Sequence, residues 1–212
     1  MSKKKITIID YKCGNIFSLV RLIEHKFNFL IEITDDPNKI LKAEKIILPG
    51  VGSFKVGIEN IKKNNIDKSI NDFLKTGNHL LGICLGMQLL MNKSEEFGEH
   101  KGMGLISGDV KKIEKAIDYP VPHIGWSQVN NENNNKHFLI DSIKDKSFFY
   151  FIHSYKVKTV KVENTVCSTK YGNESFSSVI SSNNISGTQF HPEKSGKNGE
   201  KMLENFLKIW IY

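Results

Sequence analysis

The sequence predicts an α/β fold, in which a mixed, mostly parallel sheet with helices on both faces is followed by a β-rich second half. In residues 5–83, short β-branched apolar runs alternate with segments whose apolar residues recur at helical spacing. That order is typical of a parallel sheet. In residues 122–190, strand-like runs follow one another without helices, which indicates antiparallel pairing. The chain contains neither a repeat nor a linker, so we expect residues 1–212 to form a single domain.

The first half is predicted as strands separated by helices. The predicted strands span residues 5–9, 29–34, 45–48 and 80–83. The predicted helices span residues 16–27, a short segment after Asp35-Asp36-Pro37, residues 57–74 as one helix or two, and residues 85–91.

The second half is predicted mainly as strands, after a polar loop at residues 94–98. The predicted strands span residues 102–106, 110–113, 122–126, 128–129, 148–155, 157–162, 165–171, 175–181 and 185–190. Apolar residues at helical spacing predict a terminal helix over residues 199–212.

Composition excludes several classes of protein. No run of eighteen apolar residues is present, so we expect no membrane span. The net charge of +7 raises a nucleic-acid hypothesis, but the lysines are scattered and no basic stripe with interleaved aromatic residues occurs. We therefore expect no nucleic-acid partner, and a basic face that docks on an acidic protein surface is equally compatible with the charge.

The cysteines and the N-terminus indicate a cytoplasmic protein. Cys13, Cys84 and Cys167 are odd in number and widely spaced, which suits a reducing compartment rather than a disulfide framework or a zinc site. The basic start of the chain precedes an apolar run that is too short for a signal peptide. We expect no metal and no cofactor.

The stretch from Leu80 to Gln88 predicts a nucleophile on a sharp turn. An apolar strand ends at Cys84, which has glycine two residues away on each side, and a helix-forming run follows. This is the strand–nucleophile–helix pattern of a G-x-S-x-G elbow with cysteine in place of serine. The helix N-terminus would lower the pKa of the thiol and favour an oxyanion beside it. The alternative is a buried structural cysteine.

Two further stretches extend the prediction. Gly50-Val51-Gly52 follows a strand, and its backbone N–H groups could face a ligand, although a tight strand–helix connection would have the same composition. Of the seven histidines, His191 is the best candidate for a base, because Glu193 can orient its ring if the backbone is extended. The alternative for this His-Pro-Glu stretch is a solvated turn. The other histidines are expected in solvated positions (His25, His79, His100, His137) or in core or edge positions (His123, His153).

These motifs together resemble the class I (triad) glutamine amidotransferases, whose fold is flavodoxin-like. The resemblance is carried by residues 82–88 and 189–193, in the right order and separation. Five other stretches resemble the glutaminase subunits of imidazole glycerol phosphate synthases: Asp10-Tyr11 with Gly14-Asn15, residues 48–52, 94–96, 122–126 and 151–155.

The resemblance implies a chemistry. Cys84 would attack the side-chain amide of glutamine to give a thioester, His191 would move the protons, and Glu193 would orient His191. The oxyanion would be met by the N–H of Leu85 and by one from the Gly50–Gly52 loop. By motif position, the residues that would hold glutamine are Gln88, Glu96, Ser154 and Tyr155.

The resemblance also implies a partner. The released ammonia would pass to a (β/α)8 barrel cyclase in a heterodimer, which makes imidazole glycerol phosphate and an aminoimidazole carboxamide nucleotide in histidine biosynthesis. Asn15, Trp126 and Lys194 would lie at that interface. The family usually has a small residue at the position of Lys12 and asparagine at that of Ser127, and it often has a basic residue near Phe17. All three positions lie on loops that are expected to face the partner.

These departures keep other functions open. A paralogous glutaminase that supplies ammonia for amidation of a surface sugar is the main alternative. A cysteine peptidase or glutamyl hydrolase would share the elbow, but neither function would explain the motif residues Gln88 and Ser154-Tyr155. A non-catalytic binding subunit would not need the intact Cys84, His191 and Glu193.

Overall fold

The structure is a computed structural model that describes residues 4–14, 16–132 and 136–209. The strands are β1 (Lys5–Ile9), β2 (Leu30–Thr34), β3 (Lys45–Leu48), β4 (His79–Ile83), β5 (Lys93–Ser94), β6 (His100–Lys101), β7 (Gly108–Lys112), β8 (His123–Asn131), β9 (Ser147–His153), β10 (Tyr155–Thr159), β11 (Thr165–Tyr171), β12 (Glu174–Ser182) and β13 (Ile185–Thr188). The helices are α1 (Phe17–Lys26), α2 (Pro37–Leu41), α3 (Phe54–Lys63), α4 (Ile66–Lys75), α5 (Leu85–Leu89) and α6 (Gly196–Lys208).

The first half of the sheet is parallel and buried on both faces. Its strand order is β2-β1-β3-β4-β13, and each neighbouring pair is parallel. Such strands must be apolar throughout, and every residue of β3 is buried. Apolar residues of α2, α3, α4 and α5 cover one face, while those of α1 and α6 cover the other. The predicted helix pair over residues 57–74 is two helices.

The second half is mainly antiparallel and extends the sheet from β13. The main path continues as β12-β10-β7-β5-β6. A branch leaves it at β12, which also pairs with β11; β11 pairs with β8, and β8 pairs with β9. Within it, β8 and β9 form a long antiparallel ribbon from His123↔His153 to Val129↔Ser147. Alternate residues of this ribbon point into the core and out to solvent, as the pleat requires.

Several predicted boundaries were wrong. Residues 102–106 do not form a strand, because their N–H groups bond to carbonyl groups of residues 89–92 after the elbow helix. The strand predicted at 157–162 ends at Thr159, and the two short strands at 122–129 are one, β8. The terminal helix begins at Gly196, earlier than predicted, and ends at Lys208.

Among the described residues, no helix is both long enough and apolar enough to cross a membrane.

Candidate active site

Cys84 occupies a strained turn between β4 and α5. Its backbone has φ 53° and ψ −108°, a region that non-glycine residues rarely adopt. A Cβ at Gly86 would lie 1.8 Å from the Leu48 carbonyl oxygen, and one at Gly82 would lie 2.8 Å from the Gly86 backbone. Both glycines are therefore needed for strand and helix to approach, as the elbow pattern predicts. The helix itself covers only Leu85–Leu89, shorter than the predicted 85–91.

His191 comes close to Cys84 because their strands are parallel neighbours. β4 and β13 pair in register, and the two residues follow the carboxyl ends of these strands. His191 Nδ1 lies 2.7 Å from Glu193 Oε1, so the predicted hydrogen bond is present. The predicted extended backbone is wrong, because Pro192–Lys194 forms a 3-10 turn that brings Glu193 under the ring.

The other nitrogen of His191 is directed into the site. His191 Nε2 is buried and makes no hydrogen bond within the described residues. Burial lowers the pKa of His191, but the neighbouring Cys84 and Glu193 raise it by more, to about 10. Cys84 and Glu193 thus favour the protonated form of the ring, which can stabilise a thiolate beside it.

The glycine loop lies at the site in a closed arrangement. Leu85 N–H, one expected oxyanion donor, donates to the Gly50 carbonyl oxygen at 3.3 Å. Val51 N–H donates to the Cys13 carbonyl oxygen at 3.4 Å. Leu85 N–H and Val51 N–H are thus both engaged, and neither is free to meet an oxyanion beside Cys84.

A cleft of about 370 Å³ opens in front of Cys84. Most of the residues predicted to hold substrate line it, and His153, Ile152 and Pro122 complete it. The predicted residues in its wall are Val51, Gly52, Leu85, Gln88, Glu96, Ser154 and Tyr155, with Lys194 among them. Gly50 instead lines a smaller cavity behind the loop, together with His191 and Glu193.

Polar groups in the cleft are held by the backbone. Glu96 Oε2 accepts from Phe54 N–H at 2.5 Å, at the start of α3. Gln88 Nε2 donates to the Tyr155 carbonyl oxygen at 2.8 Å and to Gln189 Oε1 at 3.2 Å. The Glu96 carboxylate in the cleft wall suits the ammonium group of a small ligand.

The structure describes two of the three predicted interface residues. Trp126 is 54% exposed on the outer face of β8, and Lys194 is exposed at the mouth of the cleft. Asn15 lies outside the described residues. No three metal-ligating side chains converge anywhere in the ranges that the structure describes.

The remaining histidines are partly as predicted. His123 and His153 are buried in the sheet, which confirms the core reading, and His25 is exposed. His79, His100 and His137 are only partly accessible rather than solvated. Burial, with His79 nearby, lowers the pKa of His137 to about 4.

One residue was missed by sequence reasoning. Gln189 belongs to the quoted motif, yet no role was assigned to it. It is fully buried, and its Nε2 lies 3.8 Å from Cys84 Sγ. Its place two residues before His191, at the end of a predicted strand, was the available signal.

The chain is similar to known proteins over nearly its whole length. A profile of the family described as Glutamine amidotransferase class-I matches residues 7–210. The HisH 2 subunit of imidazole glycerol phosphate synthase from Methanococcus maripaludis is 46% identical over 204 residues, which cover 96% of this chain and 98% of that protein. The HisH subunit from Helicobacter hepaticus is 38% identical over 223 residues, which cover 99% and 100%.

Solved structures share the fold. PurLQS from Thermotoga maritima superposes with a TM-score of 0.71 at 19% identity, over 97% of this chain and 98% of that one. The fold class predicted from the sequence is confirmed.

Proposed function

This chain belongs to the class I glutamine amidotransferase family, and from that premise we propose that it is the glutaminase subunit of an imidazole glycerol phosphate synthase. It hydrolyses glutamine to glutamate and passes ammonia to a partner cyclase of the (β/α)8 barrel type in the cytoplasm. The partner then makes imidazole glycerol phosphate and the aminoimidazole carboxamide nucleotide of histidine biosynthesis. The observation that carries the proposal is Cys84 in the wall of the 370 Å³ cleft, with His191 and its hydrogen-bonded partner Glu193 lining the smaller cavity behind the loop.

The reaction follows from this arrangement. The Cys84 thiolate attacks the side-chain amide carbon of glutamine, and the C=O electrons move onto oxygen. As the tetrahedral intermediate collapses, protonated His191 gives its Nε2 proton to the departing nitrogen, so ammonia leaves and a thioester remains. Water then attacks the thioester, His191 accepts a proton from it, and glutamate is released with the thiolate regenerated. Glu193 keeps the ring oriented throughout and stabilises it whenever it is protonated.

Substrate binding uses the polar ends of the cleft. The Glu96 carboxylate is suited to the ammonium group of free glutamine, because it is anchored by Phe54 N–H and remains at the cleft wall. Gln88, Ser154 and Tyr155 lie at the same wall and hold the rest of the ligand. No cofactor takes part in these steps.

The closed loop predicts a low resting rate. Leu85 N–H is expected to donate a hydrogen bond to the oxyanion, but it donates to the Gly50 carbonyl oxygen instead. Removing one oxyanion donor typically costs a factor of about 10² to 10³ in rate. Rotation of the Gly50–Val51 peptide exchanges that carbonyl for an N–H group, and partner docking near Val51 is the proposed trigger.

The outer face of the β8–β9 ribbon is the proposed docking surface. Ile124 and Trp126 on β8, and Phe148 and Ile152 on β9, are all more than a third exposed and alternate outward along their strands. Contiguous exposed apolar side chains beside a reaction cleft are typical of a protein interface. Ammonia leaving the Cys84 site would emerge at this face, near Lys194.

One observation favours the second candidate, a paralogue that supplies ammonia for amidation of a surface sugar. The Ser127 side chain, where the resembled family usually has asparagine, turns inward to His123 at 2.8 Å. It therefore presents no amide to a partner. Lys12, another departure, is exposed and ion-paired with Asp10. Both changes leave the Cys84 site intact.

Co-purification with the native partner tests the function. Glutamate release is measured for the isolated chain, for the complex, and for a complex with Cys84→Ala. We expect weak release by the isolated chain, stimulation in the complex with acceptor nucleotide, and no release by Cys84→Ala. Full activity of the isolated chain, or glutamate release by Cys84→Ala, would contradict the proposal. Glutamine-dependent formation of the carboxamide nucleotide separates the histidine pathway from the sugar alternative.

A further inference from the structure

Two buried histidines beside the cleft form the middle of a hydrogen-bond chain. His123 on β8 lies directly opposite His153 on β9, and His123 Nδ1 is 3.0 Å from His153 Nε2. On the outer side, His123 Nε2 is 2.8 Å from Ser127 Oγ. In a regular strand the Cα atoms of His123 and Ser127, four residues apart, would be separated by about 13 Å. Gly125 between them has φ 138°, and this irregular backbone lets Ser127 reach back to the ring.

The acceptors determine where the protons lie. His153 Nδ1 is 2.8 Å from the Tyr155 carbonyl oxygen, which can only accept, so His153 Nδ1 carries a proton. Burial lowers the pKa of His153 to about 3 and that of His123 to about 4, so both rings are neutral. His153 Nε2 is then an acceptor, His123 Nδ1 donates to it, and the Ser127 hydroxyl donates to His123 Nε2. Each donor in the chain points toward the cleft.

The inner end of the chain reaches the neighbours of Cys84. The Tyr155 carbonyl oxygen also accepts from Gln88 Nε2 at 2.8 Å, and the same amide donates to Gln189 Oε1 at 3.2 Å. Gln189 Nε2 in turn lies 3.8 Å from Cys84 Sγ. Both amide protons of Gln88 are used, so its plane is fixed, and Gln189 is shielded from water. A shift of the Tyr155 carbonyl is therefore passed on toward the thiol.

Aromatic packing holds the middle of the chain in place. The His123 ring stacks on Tyr171 with centroids 3.9 Å apart, and on Phe151 at 4.9 Å. A neutral ring between two aromatic faces cannot turn its nitrogens elsewhere. Because both nitrogens of His153 are also engaged, this second histidine of the cleft is not available as a base.

We propose that Ser127, His123 and His153 are positioning residues of the glutaminase. Their hydrogen-bond chain holds the Tyr155 carbonyl, and the two glutamine amides behind it, in the orientation that the Cys84 thiol needs. The proposal deepens the function proposed above and rests on it only for the role of Cys84. It assigns the three residues no contact with the reacting atoms.

Two replacements of His153 separate hydrogen bonding from packing. His153→Asn keeps an N–H near the Nδ1 position and can still donate to the Tyr155 carbonyl. His153→Phe keeps the ring volume but has no donor. The readout is the rate of iodoacetamide alkylation of Cys84 in the isolated chain, followed by mass spectrometry between about pH 6 and 10. His25→Phe, at an exposed site, is the matched control.

We expect His153→Phe to slow alkylation by about five- to tenfold, as for loss of one hydrogen bond, and to change its pH profile. His153→Asn should stay within about twofold of the parent. A packing role predicts the reverse order, because Asn leaves a cavity that Phe would fill. Equal rates for the two variants, or a slower rate for His153→Asn, would overturn the proposal.

Two further measurements keep the test decisive. Thermal unfolding shows whether each variant folds. If His153→Phe does not fold, Ser127→Ala, at the outer end of the chain of hydrogen bonds, replaces it. An alkylation rate of Ser127→Ala equal to that of the parent would then overturn the proposal. Ring ¹⁵N spectra of the parent at neutral pH should show both histidines as Nδ1–H tautomers, and a protonated Nε2 on His153 would contradict the chain. Since alkylation needs neither glutamine nor a partner, failure of the partner proposal would leave this result unaffected.

Discussion

The charge of His191 is set by two neighbours that act in the same direction. The Cys84 side chain and the Glu193 carboxylate both raise the pKa of the ring against the effect of burial. Because the pKa in the folded chain exceeds the ordinary value of 6.5, the stabilisation from this cluster is fully present below pH 6.5. It is lost as the pH rises through about 10.

Glu193→Gln should move the alkaline limit of activity to lower pH. The amide keeps a hydrogen-bonding side chain but removes the charge that helps to hold the proton on His191, so its pKa falls. Because the protonated ring must donate its proton to the leaving nitrogen of the tetrahedral intermediate, we expect kcat to fall by about 10- to 100-fold. The pH profile of glutamate release by the complex measures both effects. Glu59→Gln, an exposed carboxylate on α3, is the control; an unchanged alkaline limb in Glu193→Gln would contradict the assignment.

The sequence was sufficient for the residues of the candidate site but not for their contacts. Cys84 and His191 could be named because spacing with glycine or proline is a local property of the chain. The chain through His123 and His153 could not be predicted, because it depends on the register of β8 against β9 and on the bend at Gly125. Register is a property of paired strands, and a single strand does not contain it.

Among the elements, helix α6 has an unusual anchor. Lys45 on β3 is only 1% exposed, and its Nζ donates to the carbonyl oxygens of Phe206 at 2.7 Å and Leu207 at 3.0 Å, and also to that of Ile209. These carbonyls belong to the C-terminal end of the helix, where they lack partners within the helix. The ammonium thus caps α6 and ties it to the central sheet. Burial lowers the pKa of Lys45 to about 7.

Lys45→Met should destabilise the fold by about 1–3 kcal/mol, because buried carbonyl groups lose their donor. An unfolded chain keeps Lys45 protonated up to 10.5, whereas the folded chain releases the proton above about 7. Between these values the unfolded state binds more protons, so the Lys45 contribution rises with pH and is lost as the pH falls toward 7. Denaturant unfolding at several pH values measures the free energy of unfolding of parent and variant. The difference between them should widen as the pH rises from about 7 to 10.5.

Lys42→Met, on the exposed side of the same connection, should leave the stability of the chain nearly unchanged at every pH. A gap for Lys45→Met that does not depend on pH would rule out the titration, while the capping contacts would still predict a constant loss of stability.

The elements were predicted best where one periodicity dominates. Strands β1 and β3 and the order of the parallel half follow directly from β-branched runs. Residues 102–106 were mistaken for a strand because they form a short apolar run. In the structure their N–H groups instead bond to the carbonyl groups of residues 89–92, at the end of the elbow helix. A short apolar run does not reveal which backbone it will bond to, and that information is tertiary.

At the scale of the whole molecule, the reaction cleft lies between the parallel half and the β-rich half, and the proposed docking face belongs to the β-rich half. Ile152 lies on β9 between the outward apolar side chains and the cleft, and the next residues along the chain, His153 to Tyr155, form the cleft wall. A partner on this face would contact the strands that carry the substrate site. Docking and reactivity are therefore expected to be linked through β8 and β9 as well as through the loop that holds Val51.

Trp126→Ala tests that arrangement. The side chain is 54% exposed, packs edge-on against Tyr150 at 6.0 Å, and does not line the cleft. A central aromatic residue of an interface typically contributes about 2 kcal/mol or more, so we expect partner affinity to fall by about 30-fold. Titration of the partner measures the Kd, and glutamate release by the isolated variant should be unchanged. Val160→Ala, 74% exposed and outside the ribbon, is the control. Equal partner affinity for the two variants would place the interface elsewhere on the molecule, and the link between docking and the cleft through β8 and β9 would fail with it.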